Sequence, residues 1–187
     1  MRRRPRKYKT FAISKTLIEI ESEAMECVKK MSNKKKLFLS LIKKIEKILK
    51  SPLSKNKKLL EICKVLKRGV KYYDWVGFYF VDKRKKNELV LGPFIGEPTE
   101  HTRIGFGKGI CGQAAERKST FIVQDVSKEK NYLSCSSKVK SEMVVPIFKN
   151  KEEIIGELDI DSHTLSPFTK EDKEFLEKIC GMIREIL

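Results

Sequence analysis

The hydrophobic period of this chain changes at Gly69, and that change limits the folds open to it. Residues 34–49 put Phe38, Leu41, Ile42, Ile45, Ile48 and Leu49 on one stripe, with Lys43, Lys44, Lys47 and Lys50 elsewhere. That is the 3.6-residue period of an amphipathic helix. Ser51-Pro52 ends it, because proline disfavours helix in the residue before it. A second helix is expected over 55–68, carrying Leu59, Leu60, Ile62, Cys63, Val65 and Leu66, with Gly69 just past its end. Residues 11–30 read as a further, weaker helix. Beyond Gly69 the texture becomes that of short strands. Trp75–Val81 is aromatic and β-branched, and Leu89–Phe94 returns after the charged turn 82–88. Residues 101–108 read as a loop, Gly109–Arg117 as a short helix and Thr120–Val123 as a short strand. Residues 124–141 are polar and read as a long functional loop. Glu142–Phe148 and Ile154–Asp161 read as two strands around a polar turn. Thr169, with Asp172 three residues on, opens a last helix whose apolar face is Phe175, Ile179, Met182, Ile183 and Ile186. Strands in antiparallel succession, with helices before, within and after them, predict an α+β fold: an antiparallel sheet covered by helices. No internal repeat or low-complexity tract interrupts the pattern.

Charge divides the chain in the same region. The formal net charge is +16 over 187 residues. Residues 1–70 hold 22 Lys+Arg against 6 Asp+Glu, and residues 71–187 hold 19 of each. The excess therefore belongs to a basic, helical N-terminal segment followed by a neutral domain. The expected division is a basic extension over 1–35 and a domain over 36–187. A lysine-rich helical face without a DNA- or RNA-reading motif argues against a nucleic-acid partner. No apolar run reaches the roughly 18 residues of a membrane span, and no apolar stretch follows the basic N-terminus as in a secretory signal. Five cysteines at 27, 63, 111, 135 and 180 form no C-x-x-C pair, so neither a zinc site nor a disulfide framework is indicated. A soluble cytoplasmic protein with reduced thiols is expected.

Three features carry candidate chemistry. In Gly156-Glu-Leu-Asp-Ile-Asp161 strand alternation sends Leu158 and Ile160 to the core and Glu157, Asp159 and Asp161 together to the other side. Two readings stand. The face is either the solvated side of an antiparallel sheet or a pocket floor of converging carboxylates. In the second case mutual repulsion holds a proton on at least one acid near neutrality and makes an anchor for an ammonium group. In Trp75-Val-Gly-Phe-Tyr79 the two rings share a face across Gly77, which leaves a gap between them. They are either core aromatics or a wall for a small ligand with a polarised methyl–sulfur group. Cys27, Cys63 and Cys180 fall in helical stretches and read as buried apolar residues. Cys111 sits in the first turn of a glycine-started helix, where the dipole favours a thiolate. Cys135 lies in a polar, lysine-containing loop and is expected to be accessible. His101 and His163 have no ligand-spaced partner, so no metal is expected.

These segments together resemble one family. GPF-x-G-x-P at 92–98, G-x-G-I-C-G at 107–112, Cys135-x(6)-Glu142-Met-Val-Val-Pro146 and Leu-Asp-Ile-Asp-Ser162 are similar to the motifs of the GAF-fold free methionine-(R)-sulfoxide reductases. The resemblance covers about residues 40–187. It implies that Cys135 attacks the sulfoxide sulfur and becomes a sulfenic acid. It implies that Glu142, Asp159 and Asp161 bind substrate and that Trp75 and Tyr79 wall the pocket. Cys111 matches the cysteine after the glycine-rich loop. The family's usual resolving cysteine, ten residues earlier, is replaced here by His101, so Cys111 or an external thiol resolves the intermediate. The resemblance further implies no bound cofactor, a thioredoxin-like reductant as co-substrate and a homodimer. A non-catalytic GAF module that binds a small molecule or senses redox state is the competing reading.

Overall fold

Six antiparallel strands form one sheet in the order β3-β2-β1-β6-β5-β4, so the first long strand pairs with the last. The strands are β1 (Trp75–Val81), β2 (Glu88–Ile95), β3 (Arg103–Gly105), β4 (Phe121–Val123), β5 (Ser141–Phe148) and β6 (Ile154–Ser162). The helices are α1 (Asn33–Lys50), α2 (Lys55–Gly69), α3 (Gly109–Arg117) and α4 (Lys170–Ile183). This computed structural model describes residues 32–134 and 136–187. The chain divides into the units Met1–Lys36 and Leu37–Leu187. The expected helix over 11–30, Cys27 and Cys135 lie outside the described residues. Among those described, no helix is long and apolar enough to cross a membrane.

The elements follow from local chemistry. Helix α1 stops at Lys50, and the Ser51 amide and hydroxyl both donate to the Ile48 carbonyl, at 3.1 and 2.6 Å. Thr169 and Asp172 form the expected capping box of α4. Asp172 does more than cap. It is fully buried, and its Oδ1 accepts from the phenols of Tyr72 at 2.6 Å and Tyr73 at 3.0 Å. A helix start is thereby tied to the segment that feeds β1, about a hundred residues earlier. Strand β3 stands where a loop was expected. It pairs Arg103–Gly105 with Glu88–Val90, and Arg103 is held by ion pairs with Asp82 and Glu88. Three residues are too few to display a period of two, so pairing rather than pattern makes this strand.

Both faces of the sheet are covered. One packs Phe38, Leu41, Leu59, Leu66, Phe175 and Ile179 of the helices against Val76, Phe78, Met143, Val145, Leu158 and Ile160. Phe38 and Phe175 stack with centroids 4.0 Å apart, which joins α1 to α4. The other face carries a second apolar cluster that includes Trp75, Tyr79, Leu89, Ile110, Ala114, Val139 and Val144. Here α3 and the segment after β4 form the cover, and this is the side to which the acids of β6 project.

Replacing Asp172 by alanine removes a cap worth about 1 kcal/mol and leaves the buried Tyr73 phenol unpaired at a further cost of about 1–3 kcal/mol. The urea midpoint of Asp172→Ala is expected to fall at unchanged slope. Adding Tyr73→Phe to that variant is expected to recover part of the loss. An unchanged midpoint in Asp172→Ala would remove the carboxylate from this role.

Candidate active site

The strand register assembles the site. Asp161 of β6 stands opposite Trp75 of β1 and Glu142 of β5, and Asp159 stands opposite Gly77 and Val144. Glu157 stands opposite Tyr79 and Pro146. Cross-strand neighbours in register share a face, so four carboxyls and two aromatic rings converge. The face is not solvated. Exposure is 4% for Glu142, 0% for Glu157, 3% for Asp159 and 2% for Asp161. The solvated reading of the alternating acids is therefore overturned, because α3, Val126 and Val139 cover what a lone sheet would leave wet.

Helix α3 delivers Cys111 to the acids. Its Sγ donates to Asp159 Oδ2 at 3.3 Å and, more weakly, to Glu142 Oε1 at 3.8 Å. The close approach requires Gly112, where a Cβ would stand 2.3 Å from the Gly105 carbonyl oxygen. Asn131 braces the helix start, accepting from the Gly109 amide at 3.2 Å and donating to the Gly107 carbonyl at 2.7 Å.

The electrostatics of this cluster are those of acids without cations. Among the described residues no ion pair reaches Glu142, Glu157, Asp159 or Asp161. Both oxygens of Glu157, Oδ1 of Asp159 and Oδ1 of Asp161 have no hydrogen-bond partner. Burial, then the neighbouring Asp159 and other acids, push Glu142 well above the usual carboxylate range. Burial and Asp159 do the same to Glu157 and Asp161. Burial raises Asp159 to about 7, opposed by the S–H bond from Cys111 and the Ile160 amide. Loss of solvent and repulsion from Asp159, Glu157 and Glu142 raise the Cys111 thiol well above its ordinary value. The expectation of a dipole-stabilised thiolate at Cys111 is thus overturned: at this depth the facing carboxyls outweigh the short helix, and the sulfur is held as a thiol.

The aromatic pair also differs from its sequence expectation. The gap above Gly77 is filled by Trp75 itself, whose indole Cη2 lies 2.2 Å from where a Gly77 Cβ would stand. The indole stacks on Phe94, donates to the Glu97 carbonyl at 3.1 Å and lies beside Tyr79. Tyr79 is buried, and its hydroxyl donates to the His101 carbonyl at 2.8 Å. A cavity of about 20 Å³, lined by Asp74, Trp75, Glu97, Pro98, Ser136, Val139, Asp161 and His163, opens beside the indole. That is room for roughly one water molecule. Over it, Glu97 accepts from Ser136 Oγ at 3.2 Å and pairs with Lys138. His101 Nε2 lies 3.1 Å from the Ser134 carbonyl oxygen.

The structure therefore brings Trp75, Tyr79, Cys111, Glu142, Asp159 and Asp161 together, while Cys135 is outside the described residues between Ser134 and Ser136. Glu157 is absent from the residues that the resemblance implies. Alternation placed it on the right face, but the Leu-Asp-Ile-Asp-Ser motif begins one residue after it. The chain spacing that argued against a metal could not register that Cys111, Glu142 and Asp159 hold three ligand atoms within 4.8 Å of one another.

Known proteins share this fold. The family model described as GAF domain matches residues 59–187. The chain is 39% identical over 151 residues to GAF domain-containing protein A of Dictyostelium discoideum, spanning 81% of this chain and 92% of that protein. It is 44% identical over 112 residues to the free methionine-R-sulfoxide reductase of Saccharomyces cerevisiae, spanning 60% of this chain and 62% of the yeast protein. Among solved structures, the free methionine-R-sulfoxide reductase of Neisseria meningitidis in complex with its substrate superposes with a TM-score of 0.76 at 36% identity, covering 84% of this chain and 92% of that one.

Buried acids with raised pKa values make stability depend on pH. A carboxyl such as Asp159, at about 7 when folded against an ordinary value of 3.8, binds its proton more tightly in the folded state. Its stabilising contribution is complete below about pH 4 and is lost as pH rises through 7. Unfolding free energy is expected to fall from pH 5 to pH 8, with a shallower slope in Asp159→Asn. A parent protein equally stable at both pH values would show that these carboxyls are not desolvated.

Proposed function

The chain belongs to the GAF-domain family that includes the free methionine-R-sulfoxide reductases, and on that premise we propose that it reduces free L-methionine-(R)-S-oxide to L-methionine with cysteine thiols as the electron source. The observation that carries this reading is the cluster of Glu142, Asp159 and Asp161, buried beside a thiol, with one oxygen each of Asp159 and Asp161 unpaired and no cation bound to them among the described residues. Unpaired buried carboxyls are costly. An α-ammonium group supplies the missing positive charge, and the sulfoxide oxygen needs the proton that such raised acids retain.

The chemistry balances as follows. Protonation of the sulfoxide oxygen by a neutral carboxyl makes the sulfur electrophilic. The Cys135 thiolate attacks that sulfur, the oxygen passes to the cysteine as Cys–SOH, and methionine leaves with the sulfur reduced by two electrons. A second thiol displaces water from the sulfenic acid and forms a disulfide. Cys111 is the candidate on this chain, since His101 occupies the position of the family's other cysteine. Its proton must go first, and Asp159, 3.3 Å from the sulfur and titrating at about 7, is the base placed to take it. A dithiol protein of thioredoxin type returns both sulfurs to thiols.

The free amino acid is preferred for an electrostatic reason. N-acetylation removes the ammonium and leaves the carboxyls uncompensated, a cost of roughly 3–5 kcal/mol in buried pairs. In a thioredoxin-coupled assay kcat/KM on the N-acetyl sulfoxide is expected to fall by about two to three orders of magnitude. Asp159→Asn is expected to narrow that gap, Cys135→Ser to abolish turnover, and the S-epimer to be a poor substrate. Equal rates on free and acetylated sulfoxide would overturn the ammonium reading. Binding of the free sulfoxide without turnover would favour a non-catalytic GAF module instead.

A further inference from the structure

The deepest part of the acid cluster has the donor set and spacing of a cation site, which neither the fold nor the proposed reaction requires. Sulfur of Cys111 lies 3.3 Å from Asp159 Oδ2 and 3.8 Å from Glu142 Oε1, and all three ligand atoms lie within 4.8 Å of one another. For Zn–S of roughly 2.3 Å and Zn–O of roughly 2.0 Å, the S···O edge of a tetrahedron is about 3.5 Å. The two observed separations straddle that value. A second observation points the same way. Glu157 is fully buried, shares the face of Asp159 on β6, and has both carboxyl oxygens unpartnered. Its carboxyl neighbours the same thiol, outside the three ligand atoms that lie within 4.8 Å of one another, and adds negative charge beside them. One thiolate with carboxylates selects a borderline divalent cation such as zinc or cadmium, whereas magnesium and calcium prefer oxygen donors throughout.

We propose that Cys111, Glu142 and Asp159, with the charge of Glu157 beside them, form a binding site for a single zinc-type divalent cation. Binding converts the Cys111 S–H to a metal-bound thiolate and expels its proton to solvent, with no change in oxidation state. The cation takes the oxygens that the proposed reaction reserves for the substrate ammonium, and it takes the thiol proposed to resolve the sulfenic acid. It therefore acts as an inhibitor that excludes substrate and shields Cys111 from oxidation. The binding itself is independent of the catalytic reading.

Cadmium and zinc are the probes, added to the reduced, chelator-treated full-length protein. Cadmium is expected to give a saturable sulfur-to-metal charge-transfer band in the ultraviolet at one equivalent, and zinc to displace it and raise Tm. The band is expected to disappear in Cys111→Ser and to survive in Cys135→Ser. Should Cys111→Ser not fold, Asp159→Asn and Glu157→Gln, checked by circular dichroism, are expected to weaken cadmium at least tenfold. Absence of the band, its survival in Cys111→Ser, or undiminished affinity in both carboxamide variants would overturn the site. The readout is binding, so a protein inactive on methionine sulfoxide but positive here would lose the proposed function and keep the cation site.

Discussion

Strand β6 is hydrogen-bonded along both edges, to β1 and to β5, and that central position decides which side chains can meet. A side chain on an edge strand has one cross-strand neighbour, whereas Asp159 and Asp161 each have two. The second neighbours bring Glu142 from β5 and the aromatic face from β1 into one patch. Because β1 is the first long strand and β6 the last, the patch cannot form until most of the chain has paired. The Tyr72–Tyr73–Asp172 contact reinforces the closure by tying the segment before β1 to the helix after β6.

Four acids in that patch work against the fold. Each pKa unit by which burial raises a carboxyl corresponds to about 1.4 kcal/mol of unfavourable ionisation. The opposite face, with its helices and the stacked Phe38 and Phe175, supplies an apolar core with no such conflict. The molecule thus separates its labour by face. Strain of this kind collects where a ligand relieves it, whether an ammonium group or a metal ion.

Glycine controls how close the covering elements come. At Gly77 the missing Cβ lets the indole of Trp75 lie across its own strand, and at Gly112 it lets α3 press on the Gly105 carbonyl. The first sets the wall of the small cavity. The second brings Cys111 to 3.3 Å from Asp159. Any larger residue at Gly112 would lift the helix, and the thiol with it, away from the acids.

Much of this was legible in the amino-acid order. The stripe from Phe38 to Leu49 fixes α1 because a 3.6-residue period has one helical solution, and alternation in Glu157–Asp161 assigns those acids to one face because a strand has a period of two. The resemblance through Gly107–Gly112, Glu142–Pro146 and Leu158–Ser162 brought the family and most of the site residues. Strand β3 was not legible, since three residues carry no period. Neither was the state of Cys111: its place in a helix's first turn suggested a thiolate, and only the folded chain sets three carboxyls against it. Whether the β6 acids met water was likewise beyond the sequence, because burial depends on what covers a face and the cover comes from α3, Val126 and Val139. Local order determines periodicity and so the elements. Register and cover are long-range, and they decided that these acids became a desolvated cluster around a thiol.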